Sequence, residues 1–475
     1  MARLEEKSYT YFTTVRGMCR QCREVVPARV FFRQGQVWQQ SLCPRCENEP
    51  VLIAGDQQWY LSKVVKAMPD RSPLPGAKAP VRGCPHDCGP CTWHASPCQL
   101  PVVSITNACE LRCPICFTYN RADTLYHMPV ETMRETVRWI VDSTGGVDLI
   151  NITGGEPTLH PQILDILDVC RCDRIGRITM NSNGIRLAKD LALCEALAER
   201  GVYVILSCNT FDSETSQRIH GCDLVETKRR AIENLTHAGV KMTLLCVMIH
   251  DCNEGAISDL FELMRQNDSI LSLTVQTMTY TGQGGGRFER TQHLPVDTAA
   301  RIVCKQSGGM VQFDDFVTRP SSHPLCYLTS YLLKNGDRFL PLARIATHEQ
   351  IAQLLQDSYL IRPDRDGTIM QDLVNQLYAE QRTEELNLLR HLVDRLYPMG
   401  TTLSDFERQQ IAESAVRTVY VHAHMDEDTF DCSRAMLCPD LVPTEPGRWV
   451  PACTYNLFYR QQDPRFYADT DEVQP

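Results

Sequence analysis

Between residues 101 and 276, short apolar runs alternate with segments whose apolar positions recur at helical spacing. Val102-Val103-Ser104-Ile105-Thr106, Val147-Asp148-Leu149-Ile150-Asn151-Ile152-Thr153 and Arg177-Ile178-Thr179-Met180 predict strands, as do residues 202–207, 242–248 and 271–276. Met133, Val137, Ile140 and Val141 share one helical face, and Ile163, Ile166, Leu167 and Cys170 share another. Strand and helix in alternation predict six βα units around a parallel sheet. Upstream, Val30-Phe31-Phe32 and Gln36-Val37-Trp38 flank Gln34-Gly35 and read as a hairpin. Proline and glycine over residues 71–83 mark a linker. Residues 288–475 read as mainly helical, with Leu354, Leu373, Leu377, Leu386, Leu389 and Leu396 among the apolar positions.

The chemistry lies in the cysteines. After the first predicted strand comes Cys109-Glu110-Leu111-Arg112-Cys113-Pro114-Ile115-Cys116, three thiols on one tight loop. Thiolates are the usual ligands of a 4Fe–4S cluster, which normally takes four. The next cysteine is the distant Cys170, so one iron is left open for a substrate or cofactor. Cys84, Cys88 and Cys91 repeat the spacing, but Cys98 follows and completes a set of four, and no apolar strand precedes it. That set reads as an auxiliary cluster, with a zinc site as the alternative. Cys326, Cys432, Cys438 and Cys453 fit a second auxiliary cluster, against free thiols or a smaller ligand set. Cys19, Cys22, Cys43 and Cys46 form two knuckles, the pattern of a mononuclear tetrahedral site for zinc or iron.

Composition narrows the setting. A chain of 475 residues with 43% hydrophobic residues holds several domains and a real core. The net charge of −10 argues against a nucleic-acid-binding surface. No apolar run reaches the roughly 18 residues of a transmembrane span, and no signal-peptide core opens the chain. With 23 cysteines, many of them in metal-style spacings, a cytoplasmic location is expected.

Phe117 directly follows Cys116, and Gly154-Gly155-Glu156-Pro157 directly follows the second strand. With these motifs the chain resembles the radical S-adenosylmethionine (SAM) enzymes. The resemblance implies a partial (βα)6 TIM-like barrel over residues 101–287, flanked by an N-terminal four-cysteine metal module (1–80), an auxiliary-cluster segment (81–100) and a C-terminal domain (288–475). It implies that Cys109, Cys113 and Cys116 hold the catalytic cluster and that SAM chelates the open iron. An electron from the cluster then splits SAM to a 5′-deoxyadenosyl radical. It assigns Phe117, Gly154, Gly155 and Glu156 to the SAM site, with the Glu156 carboxylate on the ammonium. Asn183, Ser207 and Asn209 join them from the ends of the third and fourth strands, although Asn183-Gly184 is also a common turn. His422, His424 and Asp426 alternate along a possible strand, as a polar wall of the substrate pocket or as a metal triad.

The order of parts is similar to that of the group containing archaeal tetraether lipid synthases and hydroxymethylpterin methylases. One departure is Cys43-Pro44-Arg45-Cys46, where relatives often end on histidine. The likeness implies radical attack on an unactivated carbon, ending in C–C bond formation or methyl transfer on a lipid or small molecule. It also implies a low-potential electron donor such as flavodoxin or ferredoxin. A pterin C-methylase and a peptide-modifying maturase are the alternatives. A non-enzymatic zinc scaffold conflicts with the presence of both Glu156 and the cysteine triad.

Overall fold

The computed structural model describes residues 8–64, 77–89, 91–336, 338–355, 358–360, 367–445 and 448–468. Residues 71–76 of the predicted linker fall outside these residues. The six predicted barrel strands form: β5 (Leu100–Ser104), β6 (Val147–Thr153), β7 (Ile175–Ser182), β8 (Val202–Ser207), β9 (Met242–Met248) and β10 (Ile270–Thr277). Before them, β1 (Thr10–Met18), β2 (Val25–Arg33), β3 (Gln36–Ser41) and β4 (Val51–Ala54) make a separate antiparallel sheet. Its β2–β3 turn carries Gln34 and Gly35 at φ of 54° and 76°, the twist a two-residue hairpin needs.

β5 to β10 pair in sequence order, all parallel. Alternation along each strand sorts the side chains. In β8, Val202, Val204 and Leu206 are buried in the main hydrophobic core, while Ile205 and Ser207 line a cavity inside the barrel. Each fully buried aliphatic side chain of this layer contributes about 1.5–3 kcal/mol. Helices such as Val130–Thr144 and Ala256–Gln266 bring Met133, Val137, Ile140, Leu260 and Phe261 to the same core.

The C-terminal region holds more strand than its leucine spacing predicts. β11 (Val317–Thr318), β12 (Tyr327–Asn335) and β13 (Arg338–Pro341) form an antiparallel edge. β14 (Val416–His422) continues the barrel parallel to β10 and antiparallel to β12. β15 (Asp440–Glu445) adds to the opposite edge, parallel to β5, and pairs with β16 (Arg448–Pro451). Side chains bridge the gap between these edges: the hydroxyls of Tyr327, on β12, and of Tyr359 both donate to the Asp440 carboxylate, on β15. The predicted helices pack beside this sheet as His348–Leu355, Gly367–Ala379, Thr383–Leu396 and Asp405–Ala415, around a second core containing Leu354, Leu373, Leu389 and Leu396. The N-terminal sheet docks on both partners. Backbone N–H groups of Gly55 and Asp56 donate to the Asp297 carboxylate at 2.9 Å, and the Gln39 amide donates to the Phe430 carbonyl at 3.0 Å.

Candidate active site

The Cys109–Cys116 loop leaves the end of β5 and is gripped from three directions. From β6, the Gly155 N–H donates to Thr106 O at 2.8 Å and the Glu156 N–H to Ala108 O at 2.6 Å. A Cβ on Gly155 would lie 2.2 Å from the Ala108 carbonyl, so only glycine permits this approach. From beyond β10, the N–H groups of Gly284 and Gly285 donate to Cys116 O at 3.0 and 2.8 Å. A Cβ on Gly284 would likewise sit 2.2 Å from Cys113 O. From the C-terminus, the Asn456 amide donates to Phe117 O at 2.5 Å and accepts from the Tyr119 N–H at 3.3 Å. Buried Arg460 adds bonds to Tyr119 O, Ser104 Oγ and Asn120 Oδ1.

Cys109, Cys113 and Cys116 all line the cavity. Burial pushes the Cys109 thiol up to about 12, with nearby Glu156, Glu110 and Cys116 adding to it. Burial does the same for Cys113, also to about 12, with Cys116 and Cys109 adding. Glu156 is buried at the cavity wall and already holds four hydrogen bonds. Its Oε1 accepts from Thr158 N, Thr158 Oγ1 and Ser182 Oγ, at 3.2, 2.7 and 3.0 Å, and its Oε2 accepts from Asn183 N at 2.6 Å. Burial pushes this carboxyl above its ordinary range, and those donors pull against it. Asn183 is pinned by this bond, and its amide donates to Glu110 Oε2 at 3.1 Å.

Lys228, absent from the sequence reading, is buried with its ammonium donating to Asn183 O at 2.6 Å. Burial lowers its pKa, while Cys208, Cys113 and Glu156 draw it back. A lone lysine among helical polar residues carries no sequence signal of this role. The Gly284-Gly285-Gly286 run in the loop beyond the sixth strand does carry one.

The two positional expectations on β8 part company. Ser207 lines the cavity. Asn209 does too, but its side chain is committed to the fold: Oδ1 accepts from Val247 N at 2.7 Å and Nδ2 meets His220 Nε2 at 3.0 Å. The alternating triad also divides. The β14 strand ends at His422, and the rings of His422 and His424 meet edge-on with centroids 5.0 Å apart at the cavity wall. His424 stacks on Phe117 at 4.9 Å, and its Nδ1 lies 3.3 Å from Cys453 Sγ. Asp426 turns away instead, to His293 at 3.0 Å and the Tyr280 N–H at 3.1 Å, so the three make no metal site. Burial pushes His424 down to about 4, with Arg434 adding to it, so its ring is neutral at physiological pH.

The cavity has a volume of about 480 Å³ and reaches from the cysteine loop to the opposite end of the barrel. There Arg177 and Glu413 form an ion pair, with the Tyr203 hydroxyl on Glu413 at 2.6 Å. Asn151, Thr179, Asn181, Thr274 and Gln276 face its interior, and Asn181 Oδ1 is buried without a hydrogen-bond partner.

The remaining cysteines sort differently from their order in sequence. β5 and β15 pair with Leu100 opposite Asp440, which puts Cys98 beside Cys438, each two residues before the pairing. Burial and then Asp440 raise both thiols, and Cys438 is raised further by Cys453 and Cys326. Cys432 opens the helix Cys432–Met436 and points its thiol at the Cys84 carbonyl, 3.5 Å away. The Cys84 thiol is raised by its bond to Cys432, by burial, and by Cys432, Cys88 and Cys91. Sheet pairing thus brings Cys98 near Cys438, and helix docking brings Cys432 near Cys84, across the two groups that sequence distance suggests. In the N-terminal sheet the sulfurs of Cys19, Cys22, Cys43 and Cys46 lie within 4.8 Å of one another.

Residues 103–264 match the radical SAM superfamily. The chain carries a radical SAM domain. Over 94% of its length it is 22% identical to a 7,8-dihydro-6-hydroxymethylpterin dimethyltransferase of Methanocaldococcus jannaschii, 94% of which is covered. It is 32% identical to a GTP 3′,8-cyclase of Pasteurella multocida over 40% of this chain and 56% of that one. Among solved structures, Streptococcus suis SuiB bound to precursor peptide SuiA matches 44% of this chain and 45% of its own, with 22% identity and a TM-score of 0.38. Radical SAM enzymes use a 4Fe–4S cluster and SAM, and the residues here fit both. Thiols gathered at the cavity wall that raise one another favour a metal among the sulfurs, because coordination stabilises the thiolates. The cavity opens beside them. Among the described residues, no helix is long and apolar enough to cross a membrane.

Proposed function

We propose that this radical SAM enzyme C-methylates a reduced pterin or a closely related nitrogen heterocycle. The observation that carries this reading is an unsatisfied acceptor inside the largely apolar cavity of the barrel. Asn151, Asn181, Thr179 and Gln276 face the cavity, and Asn181 Oδ1 is buried and unpaired. A buried acceptor left empty costs about 1–3 kcal/mol, and a heterocyclic N–H would satisfy it. An alkyl chain would leave it orphaned, which disfavours the tetraether-lipid alternative. Similarity to the pterin dimethyltransferase along nearly the whole chain points the same way.

In this reading Cys109, Cys113 and Cys116 hold the catalytic cluster. The cluster and SAM, when bound, supply the one-electron chemistry that breaks an unactivated C–H bond. The protein's own residues bind, orient and exclude water. Gly155, Gly284 and Asn456 fix the loop, and Glu156 and Lys228 fix the Asn183 turn on which SAM rests. Phe117, Gly154 and Ser207 complete the SAM site, with Asn209 positioning it from behind. Stacked on Phe117, His424 forms the wall between SAM and substrate. The groups Cys84, Cys88, Cys91, Cys432 and Cys98, Cys326, Cys438, Cys453 each hold an auxiliary 4Fe–4S cluster, and the N-terminal four thiols hold one zinc or iron.

Binding separates the readings. Anaerobic holoenzyme with SAM is titrated with a reduced 6-hydroxymethylpterin and, separately, with an archaeal-type ether lipid in micelles. Saturable pterin binding, weakened about two- to tenfold by Asn181→Ala, supports the proposal, since one neutral hydrogen bond is worth about 0.5–1.5 kcal/mol. Lipid binding with no pterin binding would overturn it.

A further inference from the structure

The two auxiliary cysteine groups sit in different electrostatic surroundings. Buried Arg434 directs its Nε at Cys326 Sγ, 3.4 Å away, and its Nη2 at the carbonyls of Ala423 and Leu325, at 2.9 and 3.3 Å. The nearby Asp431 carboxylate is taken up by the Ser433 N–H at 2.7 Å. Among the described residues, no ion pair joins Arg434 to a carboxylate. A guanidinium stays charged in proteins, so its charge is left to act on the thiolates. Cys453, in the same group, receives the Met425 N–H at 3.4 Å and lies 3.3 Å from His424 Nδ1.

In the other group only Cys88 is eased in this way, by the Tyr459 hydroxyl and the Arg448 charge, and no N–H reaches a sulfur among the described residues. Cys432 Sγ faces the carbonyl oxygen of Cys84, and Cys88 Sγ faces that of Pro85 at 3.2 Å. Arg448 is close, but its Nε donates to the Cys88 carbonyl at 3.1 Å rather than to sulfur. The Tyr459 hydroxyl beside it donates to Pro85 O at 2.8 Å. Among the described residues, no N–H donates to the sulfur of Cys84, Cys88, Cys91 or Cys432.

We propose that the centre of Cys98, Cys326, Cys438 and Cys453 is the more easily reduced of the two auxiliary clusters, and that Arg434 is the positioning residue that makes it so. This rests on the reading that both groups hold 4Fe–4S clusters. Reduction adds negative charge to a cluster, and a cation or N–H donor at its sulfurs stabilises that added charge, which raises the potential. Placement adds a functional consequence. His424 joins Cys453 to Phe117, the residue after Cys116, and it lines the cavity. The better electron acceptor therefore stands directly behind the His424 wall of the cavity.

The test is a potentiometric titration of the anaerobic holoenzyme followed by electron paramagnetic resonance. Cys326→Ser and Cys84→Ser mark which auxiliary signal belongs to which group. In the wild type, the signal altered by Cys326→Ser should appear at the higher potential. Arg434→Gln should move that signal to lower potential and leave the others in place, while Arg434→Lys should retain most of the wild-type value. If the Cys326-marked signal is the harder to reduce, the proposal is overturned without any Arg434 variant. An unmoved signal in a fully loaded Arg434→Gln protein overturns it as well. Iron analysis showing fewer than two auxiliary clusters in the wild type would instead overturn the underlying reading, and this proposal with it.

Discussion

Cys432 directs its thiol at the carbonyl oxygen of Cys84, 3.5 Å away across 348 residues of chain. This contact ties the C-terminal helix to the segment ahead of the barrel, and in the proposed arrangement it puts Cys432 and Cys84 in one centre. Cys84→Ala and Cys432→Ala should therefore abolish the same auxiliary signal, and Cys98→Ala and Cys438→Ala the other. Mössbauer and electron paramagnetic resonance spectra of the four variants check this. If Cys98→Ala abolished the Cys84 signal, sequence order would group the cysteines after all.

Glu156 accepts four hydrogen bonds from Thr158, Ser182 and Asn183. Glu156→Gln turns one acceptor into a donor facing donors. SAM affinity should fall about tenfold to hundredfold, as expected for losing roughly 1.5–3 kcal/mol at a charged acceptor. Thermal stability should fall with it, because the Asn183 turn loses its anchor. Calorimetry and the SAM-induced change in the reduced cluster's spectrum measure the two effects. Weakened binding with unchanged stability would mean that the carboxylate serves SAM alone.

The barrel strands are legible in the sequence because their apolar, β-branched runs are short and regularly interrupted. The cysteine loop is legible because its spacing is local. What stays hidden depends on contacts between distant segments. Nothing near Cys98 announces Cys438, which becomes its neighbour only when β15 adds to β5. β14 reads only as a possible strand around His422, because it lies in a region dominated by leucine-spaced helices. Asn209 stands at the right strand end for a ligand contact, yet His220 and Val247 occupy its amide. Position alone does not distinguish a cofactor contact from a fold contact.

Asn456 holds the catalytic loop by bonds to Phe117 and Tyr119. Asn456→Ala should destabilise the loop by about 1–3 kcal/mol, since it leaves two buried backbone groups unpaired. Iron release to a chelator should then be faster, with the N-terminal metal retained. Equal release rates in mutant and wild type would place the anchor elsewhere.

His220 is buried between Asn209 and Ser216, and burial, with Lys228 adding to it, pushes its pKa down to about 4. The unfolded chain binds this proton near pH 6.5 and the folded chain only near 4, so the neutral ring favours the fold at higher pH. Stability should be full above about pH 6.5 and fall by about 3 kcal/mol between there and about pH 4, at roughly 1.4 kcal/mol per pH unit. Denaturant unfolding of wild type and His220→Asn across this range measures it. An unchanged acid slope in the variant would assign the loss to other groups.

The proposed reaction is tested most directly by its product. Anaerobic, reconstituted enzyme is incubated with SAM, a low-potential reductant, and extracts containing both reduced pterins and ether lipids. Mass spectrometry then follows 5′-deoxyadenosine and every changed species. The account predicts 5′-deoxyadenosine together with a pterin that has gained a methyl group in place of hydrogen, both lost when Cys109, Cys113 and Cys116 are replaced by alanine. Coupled lipid chains with unmodified pterin would contradict it.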